Sequence, residues 1–289
     1  MDENTENPWY AWYASFDENH SPEARQQWYS EIAQAYRWAR PRYPHALIEQ
    51  VLETANLTQH STMLEIGCGP GIATADFAKK GLAITGVEPS AAACVIARQA
   101  CKNYPSVSIH HSTFEDYSLN EKYDAVLAAT SFHWVSPDIA CKKSAAALKS
   151  DGALILLWAT PPQPSPELSQ YLQPVYDRYN LSDLGQEHNR TQAYYQSNFE
   201  TFAEQVNTSG FFQPSSVTIQ TCQSIYSIEK YLALLSTLSG YIALEAQTRD
   251  SLLLEVGDRL AERLETGALT TKHWFAAQVA PVLTPPSAH

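Results

Sequence analysis

Short apolar runs alternate with helical patterns along the chain from about residue 60. Five runs read as buried strands: STMLEIG (61–67), LAITGVE (82–88), VSIHH (107–111), YDAVLAA (123–129) and ALILLWA (153–159). The segments between them predict helices: GIATADFAKKG (71–81), SAAACVIARQACKNY (90–104) with Ser90 as N-cap, and SPDIACKKSAAALKSDG (136–152) with Gly152 after its end. Strands that alternate with helices at this spacing predict a parallel sheet with helices on both faces.

The flanking segments follow a different pattern. Helices are predicted before the alternating unit, over residues 22–40 and 45–57, and the proline-rich run PPQPSP (161–166) interrupts the pattern after it. Beyond this run, residues 167–179, 198–206 and 243–265 have helical patterns, and residues 215–227 and 273–283 read as strands. The aromatic segment NPWYAWYASF (7–16) is a candidate lid over a pocket, or a segment that packs on a neighbour or on the added helices.

Composition excludes several classes of protein. The formal net charge of -12 and the absence of a run rich in Lys and Arg argue against a nucleic-acid partner, because nucleic-acid binders displace phosphate counterions with a basic surface. No run of about 18 apolar residues predicts a membrane span, and the N-terminus lacks the features of a signal peptide, so we expect a cytoplasmic protein. The five cysteines form no C-x-x-C pair, and we predict no metal site.

A glycine-rich loop follows the first strand, in the run LEIGCGPG (64–71). Backbone N–H groups and a helix N-terminus meet a ligand at such a turn. The dinucleotide fingerprint G-x-G-x-x-G would need a third glycine where the chain has Ile72. Glu65 lies inside the strand end, where a carboxylate is costly unless it meets a cation, and Glu88 ends the second strand, where an acid accepts hydrogen bonds from ribose hydroxyls. A ligand with a ribose and an amino-acid ammonium, such as S-adenosylmethionine, satisfies both acids.

These motifs resemble those of the class I S-adenosylmethionine-dependent methyltransferases, and within them the type 11-like small-molecule group. LEIGCGPG is similar to their first motif, VEPS (87–90) to the acidic end of the second strand, HSTFED (111–116) to the adenine segment, and YDAVLAATSFHWV (123–135) to the fourth-strand motif. RPRYP (40–44) also resembles this group, whereas LKSDG (148–152) departs from its usual L-x-P-G-G. The resemblance covers roughly residues 30 to 160.

The resemblance implies the fold and the organisation of the chain. It predicts a Rossmann-like, doubly wound α/β fold with a mostly parallel seven-stranded sheet, an antiparallel last strand and a helical cover. It divides the chain into an N-terminal aromatic segment and helix that act as a lid (1–40), a core that binds S-adenosylmethionine (41–160), and helical insertions with the last strands of the same sheet (161–289).

The resemblance also implies a set of cofactor-binding residues: Tyr36, Arg40, Glu65, Gly67, Cys68, Gly69, Gly71, Glu88, Pro89, Ser90, Thr113, Phe114, Ala129 and Thr130. By position, the loop approaches the methionyl part, Glu88 holds the ribose, and Thr113 and Phe114 flank the adenine. Ala129 and Thr130 lie beneath the sulfonium. The alternatives are structural: a solvent-facing acid after a strand, a surface turn with a core phenylalanine, and a helix that simply ends before Pro41.

His133 and Trp134 follow the fourth strand, where open parallel sheets bind their ligands. Methyl transfer from a sulfonium mainly requires alignment of the acceptor and exclusion of water. A base is needed only for a hydroxyl, thiol or protonated amine acceptor, and histidine suits that role near neutral pH. We therefore take both residues as candidates to line the acceptor site and His133 as the candidate base, with packing on the following helix as the alternative.

The predicted activity is methyl transfer from S-adenosylmethionine to a small-molecule acceptor by direct in-line displacement, without a metal, a nucleic acid or a membrane. Two rival functions remain at this point. One is a nicotinamide-dependent oxidoreductase, which shares the sheet and the acid after the second strand. The other is a protein that binds the cofactor without turnover. The sequence predicts neither the acceptor nor the oligomeric state.

Overall fold

The computed structural model describes residues 22–283, so the aromatic segment 7–16 and the tail 284–289 lie outside the described residues. A single sheet organises this part of the chain. Its strands are β1 (Thr62–Ile66), β2 (Ala83–Glu88), β3 (Val107–His111), β4 (Tyr123–Ala129), β5 (Leu148–Ala159), β6 (Val217–Ser227) and β7 (Ala268–Pro281). They are ordered β3-β2-β1-β4-β5-β7-β6. β1 to β5 pair in parallel and β7 runs antiparallel to both β5 and β6, which confirms the predicted fold class.

The helices lie between and after the strands. Their bounds are α1 (Pro22–Ala39), α2 (His45–Thr54), α3 (Ile72–Ala78), α4 (Ala91–Ala100), α5 (Pro137–Ala147), α6 (Pro166–Arg178), α7 (Ser182–Gln186), α8 (Gln192–Thr208), α9 (Ile228–Leu235), α10 (Ser239–Ile242) and α11 (Ala246–Arg263). Two 3₁₀ turns, Phe132–Trp134 and Glu187–Asn189, complete the regular structure of the described residues.

The central strands are apolar because both faces of the sheet are covered. Successive side chains point to opposite faces, so Leu64 and Val126 join one hydrophobic cluster and Met63 and Leu127 join the other. A third cluster lies in the C-terminal segment, where α6, α9 and α11 pack around Tyr176, Leu234 and Leu252. We call residues 161–267 without β6 the cover. The strand order reverses between β1 and β4, so a ligand site is expected at the carboxyl ends of these two strands. The cover lies beside these ends.

The predicted helix over residues 136–152 is wrong at its C-terminal end. α5 ends at Ala147 and β5 begins at Leu148, which pairs with Tyr123 before a shift in register. Gly152 is therefore a strand residue and not a helix stop. A Cβ at this position would lie 3.0 Å from the carbonyl oxygen of Asp124 and 3.1 Å from that of Tyr123, so glycine favours this close approach of the two strands.

Candidate functional site

The loop between β1 and α3 adopts left-handed backbone angles at its glycines. Gly67 has φ +60° and Gly69 has φ +53°. A Cβ on Gly67 would lie only 2.7 Å from the Cβ of Ser131, whereas a Cβ on Gly69 would meet nothing within 4 Å. Gly67 therefore allows β1 and β4 to end side by side. Gly69 turns its backbone toward open space, where a ligand can approach it.

The carboxylate of Glu88 ties the end of β2 to this loop. One oxygen accepts a hydrogen bond from the backbone N–H of Gly69 at 2.9 Å, and the other accepts from the N–H of Ser90 at 2.8 Å. The side chain is buried, and burial raises the pKa of this carboxyl group despite the two N–H donors. Ser90 caps α4 as predicted, because its hydroxyl accepts from the N–H of Ala93 at 3.2 Å.

Glu65 lies beneath the loop and is more deeply buried, at 1% exposure. One carboxylate oxygen accepts a hydrogen bond of 2.6 Å from the hydroxyl of Thr74. Burial raises the pKa of Glu65 to about 8, and the nearby charges of Glu88 and Asp76 add to the shift. A carboxyl group in this state gains most from a cationic ligand, because a positive charge would restore its ionised form.

Thr130 ends β4 in a strained conformation. Its φ of +57° is unusual for a β-branched residue, and three hydrogen bonds hold it there. Its N–H donates to the carbonyl of Leu157 at 2.7 Å, its hydroxyl oxygen accepts from the N–H of Ala159 at 3.2 Å, and its hydroxyl lies 2.9 Å from that of Tyr43. Hydrogen bonds from the neighbouring backbone and a buried tyrosine thus fix the conformation of Thr130 after the end of β4.

His133 and Trp134 lie on the 3₁₀ turn after Thr130, with their ring centroids 4.9 Å apart. Phe202 on α8 lies near the imidazole, at 6.2 Å between centroids. The surrounding protein desolvates His133 and lowers its pKa to about 4, so the ring is neutral at physiological pH. A neutral imidazole can accept a hydrogen bond or a proton from a ligand.

Tyr36 and Arg40 approach the same region from the end of α1. The guanidinium carbon of Arg40 lies 4.6 Å from the centroid of the Tyr36 ring. The Nε–H of Arg40 donates to the hydroxyl oxygen of Thr237 at 2.8 Å, and its Nη2 donates to the Thr237 carbonyl at 2.6 Å. Arg40 therefore connects the N-terminal helix with the cover.

These features surround a cavity of about 620 Å³ at the carboxyl ends of the strands. Of the residues predicted to bind a cofactor or line the acceptor site, the following line this cavity: Tyr36, Arg40, Gly67, Gly69, Glu88, Pro89, Ser90, Thr113, Phe114, Ala129, Thr130, His133 and Trp134. Glu65 and Cys68 instead line a smaller adjoining space of about 50 Å³. Gly71 lines neither, because its αL turn approaches Ala97 on α4. The structure thus brings the predicted residues together, with Gly71 behind the loop.

Other cavity-lining residues were not predicted. Asp116 is one of them; it accepts a hydrogen bond of 2.7 Å from the hydroxyl of Thr113, and its place within HSTFED could have indicated it. Ser131 is another, and its hydroxyl donates to the carbonyl of Ile66. Leu238 and Ser239 come from the cover, and no local sequence pattern marks them as site residues.

No group of three or more His, Cys, Asp or Glu side chains within residues 22–283 is arranged to hold a metal ion. None of the helices within these residues combines the length and the apolar character that crossing a membrane requires.

A family model described as "Methyltransferase domain" matches residues 64–156. An uncharacterized methyltransferase of Mycobacterium tuberculosis (strain ATCC 25618 / H37Rv) is 32% identical over 127 residues, which are 44% of this chain and 49% of that protein. A ubiquinone biosynthesis O-methyltransferase of Bradyrhizobium sp. (strain ORS 278) is 31% identical over 111 residues, which are 37% of this chain and 44% of that protein. The chain thus spans about half the length of the curated relatives that it matches.

Among solved structures, a candidate type II methyltransferase from Anaeromyxobacter dehalogenans has a similar fold. The two structures superpose with a TM-score of 0.59 at 20% sequence identity, and the match covers 84% of this chain and 97% of that one. The similarity in structure therefore extends well beyond the residues that match by sequence.

Proposed function

We propose that the chain transfers the methyl group of S-adenosylmethionine to a small-molecule acceptor, because residues 64–156 match the family model of a methyltransferase domain. The observation that carries the proposal is the buried carboxylate of Glu88, which is bonded to the N–H of Gly69 and opens onto the large cavity. An acid after the second strand, joined to a glycine-rich loop after the first, is the arrangement that a ribose-containing ligand requires.

The side chains around the cavity suit the parts of S-adenosylmethionine. Glu88 is an acceptor for the ribose hydroxyls, and Phe114, beside Thr113, offers an aromatic surface for the adenine. The methionyl part carries both an ammonium and a carboxylate. Glu65 and Arg40 line the same small space next to Gly69, so the space offers a cation for the carboxylate and an acid that the ammonium would ionise.

The acceptor would occupy the remaining side of the cavity. His133, Trp134, Pro161 and Leu238 line that side, and none of them is charged at neutral pH. A mostly apolar surface with one imidazole is typical of sites for small, partly aromatic ligands. The net charge of -12 supports a small molecule over a nucleic acid.

Catalysis in this proposal depends on alignment. The cofactor supplies a methyl group on a positively charged sulfur, and transfer occurs by direct in-line displacement. The rigid wall at Thr130 and the rings of His133 and Trp134 would hold the acceptor atom in line and keep water out. His133 would accept the hydroxyl proton of an acceptor such as a phenol. With a pKa of about 4 the imidazole is a weak base, so it serves best for a proton that is already acidic.

Titration calorimetry combined with a transfer assay tests the proposal. We expect the chain to bind S-adenosylmethionine and S-adenosylhomocysteine, to bind NAD⁺ much more weakly, and to transfer labelled methyl groups to a member of a panel of phenols, hydroxy acids and carboxylates. His133→Ala should reduce turnover of a hydroxyl acceptor by about 100-fold or more while the affinity for S-adenosylhomocysteine stays the same. Cys141→Ala, at a buried position on α5 that lines neither cavity, is the control.

Two results would contradict the proposed methyl transfer, and a third would remove only the proposed role of His133. Tight NAD⁺ binding without binding of S-adenosylmethionine would favour an oxidoreductase. Cofactor binding without transfer to any compound of the panel would favour a protein that binds the cofactor without turnover. Equal turnover by the His133→Ala variant would restrict His133 to packing and leave the methyl transfer itself intact.

A further inference from the structure

Thr237 in the cover fixes the orientation of Arg40, which lies 197 positions earlier in the chain. Two hydrogen bonds join them, from Nε to the threonine hydroxyl oxygen at 2.8 Å and from Nη2 to its carbonyl oxygen at 2.6 Å. The ring of Tyr36 lies 4.6 Å from the guanidinium carbon. The two hydrogen bonds to Thr237 at the edge of the planar guanidinium, together with the Tyr36 ring on its face, fix the orientation of the Arg40 side chain.

The hydroxyl of Thr237 is itself oriented. It donates a hydrogen bond of 2.6 Å to the carbonyl of Leu234, so its oxygen lone pairs are left to accept from Arg40. Thr237 is buried, at 1% exposure, and follows directly after the end of α9. The carbonyl groups at a helix C-terminus also favour a cation. Arg40 therefore has a prepared acceptor on the cover.

Arg40 has donors beyond those that Thr237 uses. A guanidinium has five N–H groups, and the two bonds to Thr237 use two of them. Among the described residues 22–283, Arg40 is the one lysine or arginine that lines the two cavities. It lines the small space together with Glu65 and Gly69, the side at which the proposed function positions the methionyl part.

We propose that Thr237 is a positioning residue, which holds Arg40 so that its other N–H groups bind the carboxylate of the cofactor's methionyl part. This inference rests on the proposed function. It makes the cover part of the cofactor site, because Thr237 lies in the turn between α9 and α10, and the next two residues, Leu238 and Ser239, line the large cavity. The alternative is that Arg40 only caps the C-terminal end of α9 through the Thr237 carbonyl. In that case Thr237 affects the stability of the fold and not the affinity for the ligand.

Two ligands separate these alternatives. S-adenosylhomocysteine carries the carboxylate, and 5′-methylthioadenosine has the same adenosine and sulfur without the amino-acid part. Thr237→Val removes the hydroxyl at constant shape. We expect it to weaken binding of S-adenosylhomocysteine by about tenfold and to leave binding of 5′-methylthioadenosine unchanged, as measured by titration calorimetry. Thr237→Ser keeps the hydroxyl and should restore most of the lost affinity.

A double-mutant cycle tests whether Thr237 acts through Arg40. In the Arg40→Met background the ligand carboxylate has lost its partner, so adding Thr237→Val should cost no further affinity. Thr201→Val is the matched control, because Thr201 on α8 has a comparable hydroxyl bond of 2.9 Å to a helix carbonyl and lines neither cavity. This control should bind both ligands as the unsubstituted chain does.

The possible outcomes are distinguishable. Equal weakening of both ligands by Thr237→Val, or an undiminished effect in the Arg40→Met background, would overturn the positioning role and assign Thr237 to stability alone. Unchanged binding of both ligands would also overturn it. If the unsubstituted chain bound neither ligand, the proposed function itself would fail, and this inference with it.

Discussion

Two buried carboxyl groups lie within the site, and their surroundings differ. Glu88 accepts two backbone N–H bonds, at 2.9 and 2.8 Å, from two residues, whereas the donors to Glu65, a hydroxyl at 2.6 Å and a backbone N–H, both belong to Thr74. Such donors compensate for part of the solvation that a carboxylate loses on burial. Glu65 is the more deeply buried of the two, and this burial, to which the charges of Glu88 and Asp76 add, raises its pKa to about 8. The folded chain therefore keeps an acid that is destabilising when ionised, as expected for a residue that meets a cationic ligand.

Glu65→Gln should make the chain more stable at alkaline pH. Below about pH 4.5 the carboxyl group is protonated in both the folded and the unfolded chain. As the pH rises toward 8, the unfolded chain loses the proton first, so this raised pKa makes folding less favourable, by roughly 3 kcal/mol between pH 5 and pH 8. Glutamine does not ionise. Urea denaturation at both pH values should thus show a smaller loss of stability in the variant.

The same substitution should weaken cofactor binding, because glutamine cannot pair with an ammonium as a carboxylate does. Stability and affinity therefore change in opposite directions at pH 8. An equal pH dependence of unfolding in the variant and the unsubstituted chain would show that the pKa of Glu65 is the same in the folded and the unfolded chain, and would contradict the raised value.

The loop between β1 and α3 contains two glycines whose substitution by alanine should affect stability differently. Gly67→Ala and Gly69→Ala both place a side chain at a left-handed φ, which costs about 1 kcal/mol each. Gly67→Ala also brings a Cβ to 2.7 Å from Ser131, which is hydrogen-bonded to Ile66 and cannot easily move. We expect it to lower the free energy of unfolding by about 3 kcal/mol in urea denaturation, against about 1 for Gly69→Ala.

Gly69→Ala should affect ligand binding more than stability. The added methyl of Gly69→Ala extends into open space beside the cavity, so this variant should stay folded and bind S-adenosylhomocysteine more weakly. Similar losses of stability in the two variants would mean that the contact with Ser131 relaxes without cost, and that the close approach of β1 and β4 does not require glycine.

The elements that the sequence predicted well are those whose pattern is local. The central strands are continuous apolar runs because both faces of the sheet are buried, and Ser90 begins α4 with an ordinary N-cap. The start of β5 was missed because Ala145 to Lys149 favour a helix, whereas the pairing of Leu148 with Tyr123 is a contact between distant residues. α9 and α10 were missed as well; they are short, and packing of residues such as Tyr231 and Tyr241 stabilises them.

The same distinction applies to the candidate site. The loop glycines and Glu88 follow predicted strands, and the carboxyl ends of parallel strands meet at one edge of the sheet, so their grouping around a cavity could be expected. Leu238, which lines the cavity, and Thr237, which contacts Arg40, could not be predicted, because the packing of the cover against α1 brings them there. The strain at Thr130 also has no sequence signal, since threonine rarely adopts a positive φ.

At the scale of the whole molecule, the C-terminal part of the chain is built into the sheet. β7 lies between β5 and β6 and pairs with β5 from Ala153 to Ala159. Arg40 joins α1 to the cover through Thr237, and Ala39 belongs to the cover's hydrophobic cluster. The division predicted at residue 161 therefore separates segments of sequence that share strands, core and site. We infer that these segments depend on one another for stability.

We accordingly predict a single cooperative unfolding transition, although chains longer than about 150 residues often populate intermediates. Trp158 in β5 and Trp274 in β7 are both buried, so tryptophan fluorescence and far-ultraviolet circular dichroism should give coincident thermal curves. S-adenosylhomocysteine at about 100 times its Kd should stabilise the folded chain by about 2.7 kcal/mol and raise the Tm by roughly 5 °C, and NAD⁺ should leave it unchanged. Two separated transitions, of which the ligand shifts only one, would mean instead that the cover unfolds independently of the cofactor site and that the link through Arg40 and Thr237 is too weak to couple them.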